Sequence, residues 1–358
     1  VLIVGAGPAG SMAARESARV GLQTLLVDKS GFPRQKVCGG CLNQSALDIL
    51  ERVGLCEEVQ NLGGQCIERI EFVVNARKTR IPLTGGLSVS RQRFDAALLK
   101  AAVDAGAEFL SDAQARINKC DDESRTVAVR HTDGEATVRA SVVIVASGLG
   151  GAKMAETGFS PKIAEHSYIG AGCLTTSAEP GFSPGTIYMA CGRHGYVGIV
   201  QVEDGRLNVA AALDPQWVRQ CGGVNRASIQ LMQETGVEPP PTLAEQPWRA
   251  TPLLTRRTGI VAARRLLVVG DAAGYVEPFT GEGMVWALAS GRAVVPVIHG
   301  IRSGWDLEME RQWIHVHRQL IGGRQQVCRT IAWWLRRPTL FRCSLNVLRQ
   351  IPILAQPL

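Results

Sequence analysis

The chain opens on an unbroken apolar run, Val1-Leu2-Ile3-Val4, in which no polar position marks a solvent-facing side. A short run of this kind predicts a strand buried on both faces, as in a parallel sheet. Gly5-Ala6-Gly7-Pro8-Ala9-Gly10 follows. Apolar positions then recur at helical spacing through Met12, Ala13, Ala14 and Ala18 to Val20, with Gly21 as the stop. Thr24-Leu25-Leu26-Val27 predicts a second strand, ended by Asp28. The same buried-strand pattern returns at Val142-Val143-Ile144-Val145 and at Arg265-Leu266-Leu267-Val268-Val269. The latter leads into Gly270-Asp271-Ala272-Ala273-Gly274, then Pro278, Gly281-Glu282-Gly283 and a helical stretch from Met284 to about Ile298. In between, segments 167–175, 185–189, 196–202 and 206–213 read as strands separated by turn residues. One helix is predicted over 217–235, and Pro239-Pro240-Pro241 ends it.

Strand, glycine turn, helix, strand and acid make a βαβ unit suited to a dinucleotide. Gly5 makes the tight turn, Gly7 lets the backbone approach a pyrophosphate, and Gly10 lets the helix pack on the strands. The helix N-terminus offers phosphates its unpaired N–H groups and a partial positive charge. Asp28 can accept both hydroxyls of a ribose and would repel a 2′-phosphate, which argues against NADP at this first site. An NAD-binding domain has no need of a second glycine element so late in the chain. A flavin does, because its long ribityl–pyrophosphate linker must be gripped from a second strand end. Asp271 can accept ribityl hydroxyls, and the helix opening near Gly283 can aim its dipole at the flavin O2 side.

The pairing of the early Gly-x-Gly-x-x-Gly with Gly270-Asp271-Ala272-Ala273-Gly274 resembles the p-hydroxybenzoate hydroxylase-type FAD family. Within it, Phe32-Pro33-Arg34-Gln35-Lys36-Val37-Cys38-Gly39-Gly40 resembles the geranylgeranyl reductase branch, as do Ser90-Arg91-Gln92-Arg93-Phe94-Asp95 and Thr280-Gly281-Glu282-Gly283-Met284. The likeness spreads over residues 1–298. It implies an α/β, two-domain FAD-binding fold. A Rossmann-like βαβ domain would be made from 1–65, 84–150 and 259–300, and a substrate domain with an antiparallel sheet over the flavin from 66–83 and 151–258. A C-terminal helical segment would occupy 301–358. The resemblance further implies that FAD is held by Gly5, Gly7, Pro8, Ala9, Gly10, Asp28 and Lys29, with Arg34, Cys38, Gly39 and Arg91, and by Gly270, Asp271, Gly281, Gly283 and Met284. Cys38 and Tyr196 are the candidates for catalysis, and no metal is implied.

Two departures bear on function. Many members carry Gly-Ala-Asp-Gly where this chain has Ala146-Ser147-Gly148, and that aspartate is associated with pyrophosphate and NADPH contacts. Its absence argues against direct reduction by NADPH, so of the two donors the resemblance implies, NAD(P)H or a separate reductase or ferredoxin, the second is expected. The branch also has Tyr-x-Trp-x-Phe-Pro where this chain reads Tyr196-Val197-Gly198-Ile199-Val200-Gln201, a change that predicts more space over the substrate. The implied activity is hydride transfer from reduced flavin N5 to a C=C bond of a hydrophobic isoprenoid, lipid or polyketide-like molecule. The alternative is a flavin monooxygenase hydroxylating an aromatic or lipid-like substrate. An alternative of another class is a non-catalytic prenyl- or lipid-binding protein on the same fold. A halogenase ranks below these, because that branch has Gly-Glu-Ser in place of Cys38-Gly39-Gly40 and a Trp-x-Trp-x-Ile-Pro segment that is missing here.

Composition narrows the setting. The 358 residues are 46% hydrophobic and 20% charged, globular values that leave little room for long disorder. No run of 18 or more apolar residues lacks a charge, which argues against a membrane-spanning helix, and the apolar start at Val1 suggests that a short lead precedes it. Ten cysteines are scattered, and only Cys38-Gly39-Gly40-Cys41 has a motif-like spacing, read either as a dithiol or as a glycine loop passing the flavin. A reducing, cytoplasmic setting follows, peripheral to the inner membrane face if the C-terminus binds there. His194, two residues before Tyr196, is a weak candidate proton donor. Gly-x-Ser-x-Gly, His-Glu-x-x-His and P-loop lysine motifs are absent, so hydrolase and nucleotide-triphosphatase readings fall away. The net charge is +7, and residues 291–358 account for all of it, with ten arginines, no lysine and three acids. No nucleic-acid motif accompanies them. Arginines mixed with Trp333, Trp334 and Leu340 suit an amphipathic contact of 331–358 with an anionic membrane, broken at Pro338. The competing readings are a solvated helical face or a cap on the core.

Overall fold

The computed structural model describes residues 1–151, 159, 161–178, 181–277, 281–335 and 337. The apolar runs form one six-stranded sheet, in the order Ala262–Ala263, Leu266–Val268, Val143–Val145, Leu2–Val4, Leu25–Val27, Glu108–Leu110. All pairs are parallel except the short edge strand 262–263. Alternate side chains of these strands serve two different layers. Ile3, Leu26, Ile144 and Leu267 pack with Ala9, Ala13, Leu99 and Val294 from the helices Pro8–Arg19, Arg91–Asp104 and Glu282–Ile298. Leu2, Val4, Val27, Val143, Val145, Leu266 and Val268 pack with Ile117, Val127 and Val129 of an antiparallel meander, Gln114–Cys120, Arg125–His131 and Gly134–Ala140. Cover on both faces is why these strands show no polar alternation.

A seven-stranded sheet forms the second layer system. Its order is Arg249–Leu253, Ile169–Ala178, Arg206–Leu213, Gly195–Gln201, Thr186–Gly192, Arg69–Val74, Arg77–Pro82. Its pairs are antiparallel except Arg69–Val74 with Thr186–Gly192. One face, with Ala190, Val197, Ile199, Val209 and Ala211, is covered by helical residues Val218, Ala227, Leu231 and Met232. The predicted single helix over 217–235 is in fact two, Pro215–Gln220 and Val224–Thr235. Gly222 and Gly223 sit between them at φ +76° and +138°, conformations that interrupt a helix and suit glycine alone. The opposite face of the sheet, carrying Ile70, Phe72, Met189, Tyr196 and Gly198, lines a cavity.

The helix Glu282–Ile298 lies at the centre of the molecule. With the next three residues it is long and apolar enough to cross a membrane, yet 67% of that stretch is buried within the protein. It packs on the first helix. After it come Leu307–His317, a π turn Arg318–Gly322 and the helix Gly323–Leu335. Trp313 is fully buried and donates its indole N–H to Val268 O at 3.1 Å. Trp333 and Trp334 are 50% and 41% exposed, so they do not cap the core as one reading of the sequence expected. The expected break at Pro338 and the apolar residues beyond it lie outside the described residues.

Candidate active site

The first glycine turn is built by close approaches that a side chain would forbid. Gly5 has φ +107°, and a β-carbon there would stand 2.4 Å from Ala146 O. A β-carbon on Gly10 would fall 1.7 Å from Gly5 O, so only glycine lets the helix Pro8–Arg19 reach the strand end. Gly10 does not line the cavity, and its close approach to Gly5 gives it the packing role expected from the sequence. Gly7 is the reverse case. It lines the cavity, and a β-carbon there would meet nothing closer than Arg34 Nη2 at 3.8 Å. Pro8 begins the helix beside it, where its missing N–H costs nothing.

Asp28 is held rigidly at the end of its strand. Its Oδ2 accepts from Ala6 N at 2.8 Å and its Oδ1 from Ser30 N at 3.0 Å. Arg34 bridges this end to the helix behind it, 3.5 Å from Asp28 and 3.5 Å from the fully buried Asp95, with its guanidinium over the Phe32 ring. Arg34 Nε and Nη1 are buried and make no hydrogen bond among the described residues. Arg34 lines the cavity through its other nitrogen, Nη2, which is 3.5 Å from Asp28 and is the one that faces Gly7.

The second glycine element closes on the first. Gly270, at φ +60°, would place a β-carbon 2.9 Å from Ala9 Cβ, and Gly291 would place one 2.2 Å from Ala9 O. Gly270 N donates to Ser290 Oγ at 3.0 Å. Ala9 is thus clasped by both halves. Gly281, at φ +75°, precedes the helix Glu282–Ile298, whose first residues Gly283 and Met284 open onto the cavity. Burial pushes the Asp271 carboxyl up to about 6, against the opposing pull of Arg91, Lys36 and Arg256.

Between these ends lies the Cys38-Gly39-Gly40-Cys41 loop. Cys38 O accepts from Asn208 Nδ2 at 2.8 Å, which ties the loop to the large sheet. Arg91 donates to both oxygens of Asp95, at 2.7 and 2.9 Å, and also reaches the Cys38 thiol. Burial alone would lower its pKa; Asp95 and Cys38 outweigh that and raise it. Burial, with Cys38 beside it, pushes the Cys41 thiol up to about 12, so it keeps its proton and is a poor partner for thiol exchange. Tyr196 hydrogen-bonds Glu277, and burial followed by that carboxyl raises the phenol well above its ordinary value.

All the remaining residues expected from the sequence, Lys29, Cys38, Gly39, Arg91 and Tyr196 among them, line this one cavity. His194 does not; it stacks on Trp217 at 4.3 Å with the rings 6° from parallel. The space expected at Gly198 is partly taken by its cross-strand neighbour, since a β-carbon there would lie 3.0 Å from Met189 Sδ. Lys36, Tyr275 and Glu277 also line the cavity and were not singled out from the sequence. For Tyr275 and Glu277 the available signal was period-two spacing just after Gly274, which puts both on one side of an extended segment. Burial, then Asp271, raises the Tyr275 phenol, and burial lowers the Lys36 ammonium. No group of His, Cys, Asp and Glu that could hold a metal occurs among the described residues.

The cavity measures about 1590 Å³. Ordinary small-molecule sites occupy roughly 300–1,000 Å³, so there is room for a dinucleotide and a second molecule. The residues present fit FAD: a glycine cradle open at Gly7, acceptors at Asp28 and Asp271, the Arg34 guanidinium on the wall beside Gly7, and a helix N-terminus at the far end.

Comparison with known proteins agrees. The chain is 27% identical to the menaquinone reductase of Mycobacterium tuberculosis, over 94% of this chain and 84% of that one. It is 27% identical to digeranylgeranylglycerophospholipid reductase 2 of Methanopyrus kandleri, over 82% and 74%. Another curated relative is longer, and the chain spans only 61% of it. A flavin-dependent brominase of known structure superposes with a TM-score of 0.81 at 20% identity, covering 99% of this chain and 91% of that one, a likeness of fold alone. Residues 1–293 match the family model described as "FAD binding domain", so the chain belongs to that family of FAD-binding proteins.

Proposed function

We propose that the protein is a reductase that saturates a carbon–carbon double bond in a hydrophobic, isoprenoid- or lipid-like molecule. The observation that carries this reading is the apolar end of the cavity, where Ile67, Ile70, Phe72, Leu83, Ile187 and Met189 surround a space next to Tyr196. A long apolar chain gains about 0.8 kcal/mol per buried CH₂ from such a wall. FAD, when bound and reduced, supplies the hydride from N5. Saturation also needs a proton at the neighbouring carbon. Tyr196, kept protonated by burial and by Glu277, holds a proton at the cavity wall for that carbon, and the phenolate left behind takes its proton back from solvent. Arg91, tied to Asp95, holds Cys38 beside the ring site. Ser147, with a buried hydroxyl that makes no hydrogen bond among the described residues, stands where the family resemblance leads us to expect an aspartate. It supports electron delivery by a separate reductase or ferredoxin.

The test is anaerobic photoreduction of the bound flavin, followed by mixing with a prenylated quinone, a geranylgeranylated lipid or oxygen. Recovery of oxidised flavin with the unsaturated lipid, and a product carrying two added hydrogens in its isoprenoid chain and not only a quinone reduced to quinol, is expected. Recovery only with oxygen, together with a hydroxylated product, would replace the reductase reading by the monooxygenase one. Lipid binding with no electron transfer to any partner would assign the chain to carriage rather than catalysis.

A further inference from the structure

The helix Gly323–Leu335 turns outward a face that the cavity does not use. Cys328 and Ala332 are buried, whereas Val327, Trp333 and Trp334 are 52%, 50% and 41% exposed. Val327, Ile331 and Trp334 stand at i, i+4 and i+7, one stripe of an α-helix. Ile331 packs against the cluster of Ile70, Phe72, Val74, Ile81, Met189 and Cys191, and three of those six side chains line the cavity. The exposed stripe is therefore separated from the apolar end of the cavity by little more than one layer of side chains.

The charge along this segment of the chain is of one sign. From Arg311 to Leu358 there are eight arginines and no acid. Arg311 pairs with Glu308 and Arg324 with Glu282. Arg318, Arg329 and Arg337 have no acidic partner among the described residues, and Arg337 lies over the Trp333 ring at 3.8 Å. Nucleic acid would use the guanidinium groups and stack on the indoles, but not the aliphatic stripe of Val327 and Ile331. A neutral protein groove would use the apolar stripe but not an acid-free cationic border. Both are used at the headgroup layer of an anionic bilayer, where indoles lie at the interface and cations meet phosphate.

We propose that this face docks the protein on an anionic phospholipid surface and brings the apolar end of the cavity to the membrane. The docking holds whichever reaction the site runs, so its test is independent of turnover. FAD-loaded, full-length protein is sedimented with vesicles of phosphatidylcholine alone or mixed with phosphatidylglycerol, at low and at high salt. Binding is expected to the anionic vesicles and to be lost at high salt. An arginine near such a surface changes partitioning about five-fold, so Arg329→Gln with Arg337→Gln should weaken binding about 30-fold. Trp333→Ser with Trp334→Ser, at exposed positions, should weaken it as well while flavin content and melting stay unchanged. No binding, equal binding to neutral vesicles, or equal binding of both variants and the parent would overturn the proposal. So would a solution dimer that the tryptophan variant splits, since a second copy would then cover the face.

Discussion

Gly7 and Gly10 lie three residues apart, and their substitution by alanine should fail in opposite ways. At Gly10 the new methyl would sit 1.7 Å from Gly5 O and 2.9 Å from Gly5 C, both backbone atoms that cannot turn aside. Relief requires moving the first helix off the strand end. Overpacking of this kind costs about 1–3 kcal/mol, and two backbone clashes place it at the upper end of that range. At Gly7 the methyl would meet only the tip of Arg34 at 3.8 Å, and the backbone there is extended, so the fold should be nearly indifferent. That methyl projects into the cavity where the cradle must touch its ligand. If the same 1–3 kcal/mol is charged to binding, FAD affinity falls roughly 5- to 150-fold. The assay has two arms: urea unfolding of flavin-free protein, and fluorescence titration with FAD. Gly10→Ala should lower the unfolding midpoint. Gly7→Ala should leave the midpoint within error and weaken FAD binding. If Gly7→Ala bound FAD like the parent, the pyrophosphate would not run past Gly7 and the cradle would be misassigned.

Asp271, with its folded pKa raised to about 6, takes up a proton on folding between its unfolded value near 4 and that value, so the stability of flavin-free protein should fall as pH rises through that window. The loss is on the order of 2–3 kcal/mol, and Asp271→Asn should abolish it, read as the urea midpoint at the two ends of the window. Tyr196→Phe should slow single-turnover reduction of the double bond by roughly 10²–10⁴-fold with photoreduction and lipid binding unchanged; an unaffected rate would remove Tyr196 from proton delivery. Free NADPH should bleach the flavin slowly or not at all, and rapid stoichiometric bleaching would refute the reading of Ser147.

Much of the dinucleotide end was legible because its signals are local. A strand, a glycine turn and a terminal acid sit within residues 1–28, and their roles depend on backbone geometry that glycine alone permits. The strand Arg206–Leu213 was bounded to the residue because turn residues, Asp204-Gly205 and Asp214-Pro215, flank it on both sides. The break at Gly222 was missed because apolar periodicity on either side hid two adjacent glycines. The meander 114–140 was missed for a different reason. Its outer strand is largely exposed and polar, and its purpose, covering the back of the parallel sheet, appears only when the other partner is in place. Glu277 was missed because a lone acid in sequence has no partner; Tyr196 reaches it from a strand some 80 residues earlier. Filling by Met189 at Gly198 belongs to cross-strand register, which residue spacing along one strand does not report.

The clasp on Ala9 has a mechanical consequence. Because Gly270 and Gly291 both close on that one residue, the two ends of the cofactor cradle are fixed on a single stiff pair of helices rather than on two movable walls. Such a frame measures its ligand as a calliper does. ADP and FMN each reach only one jaw, and even mixed together they must be captured as two separate events. A molecule that carries both ends on one linker engages the second jaw at the high effective concentration set by the first. With FAD lying across both elements, selection for the whole dinucleotide over its fragments would reside in the spacing of two glycines from one alanine, before any side chain had touched the flavin.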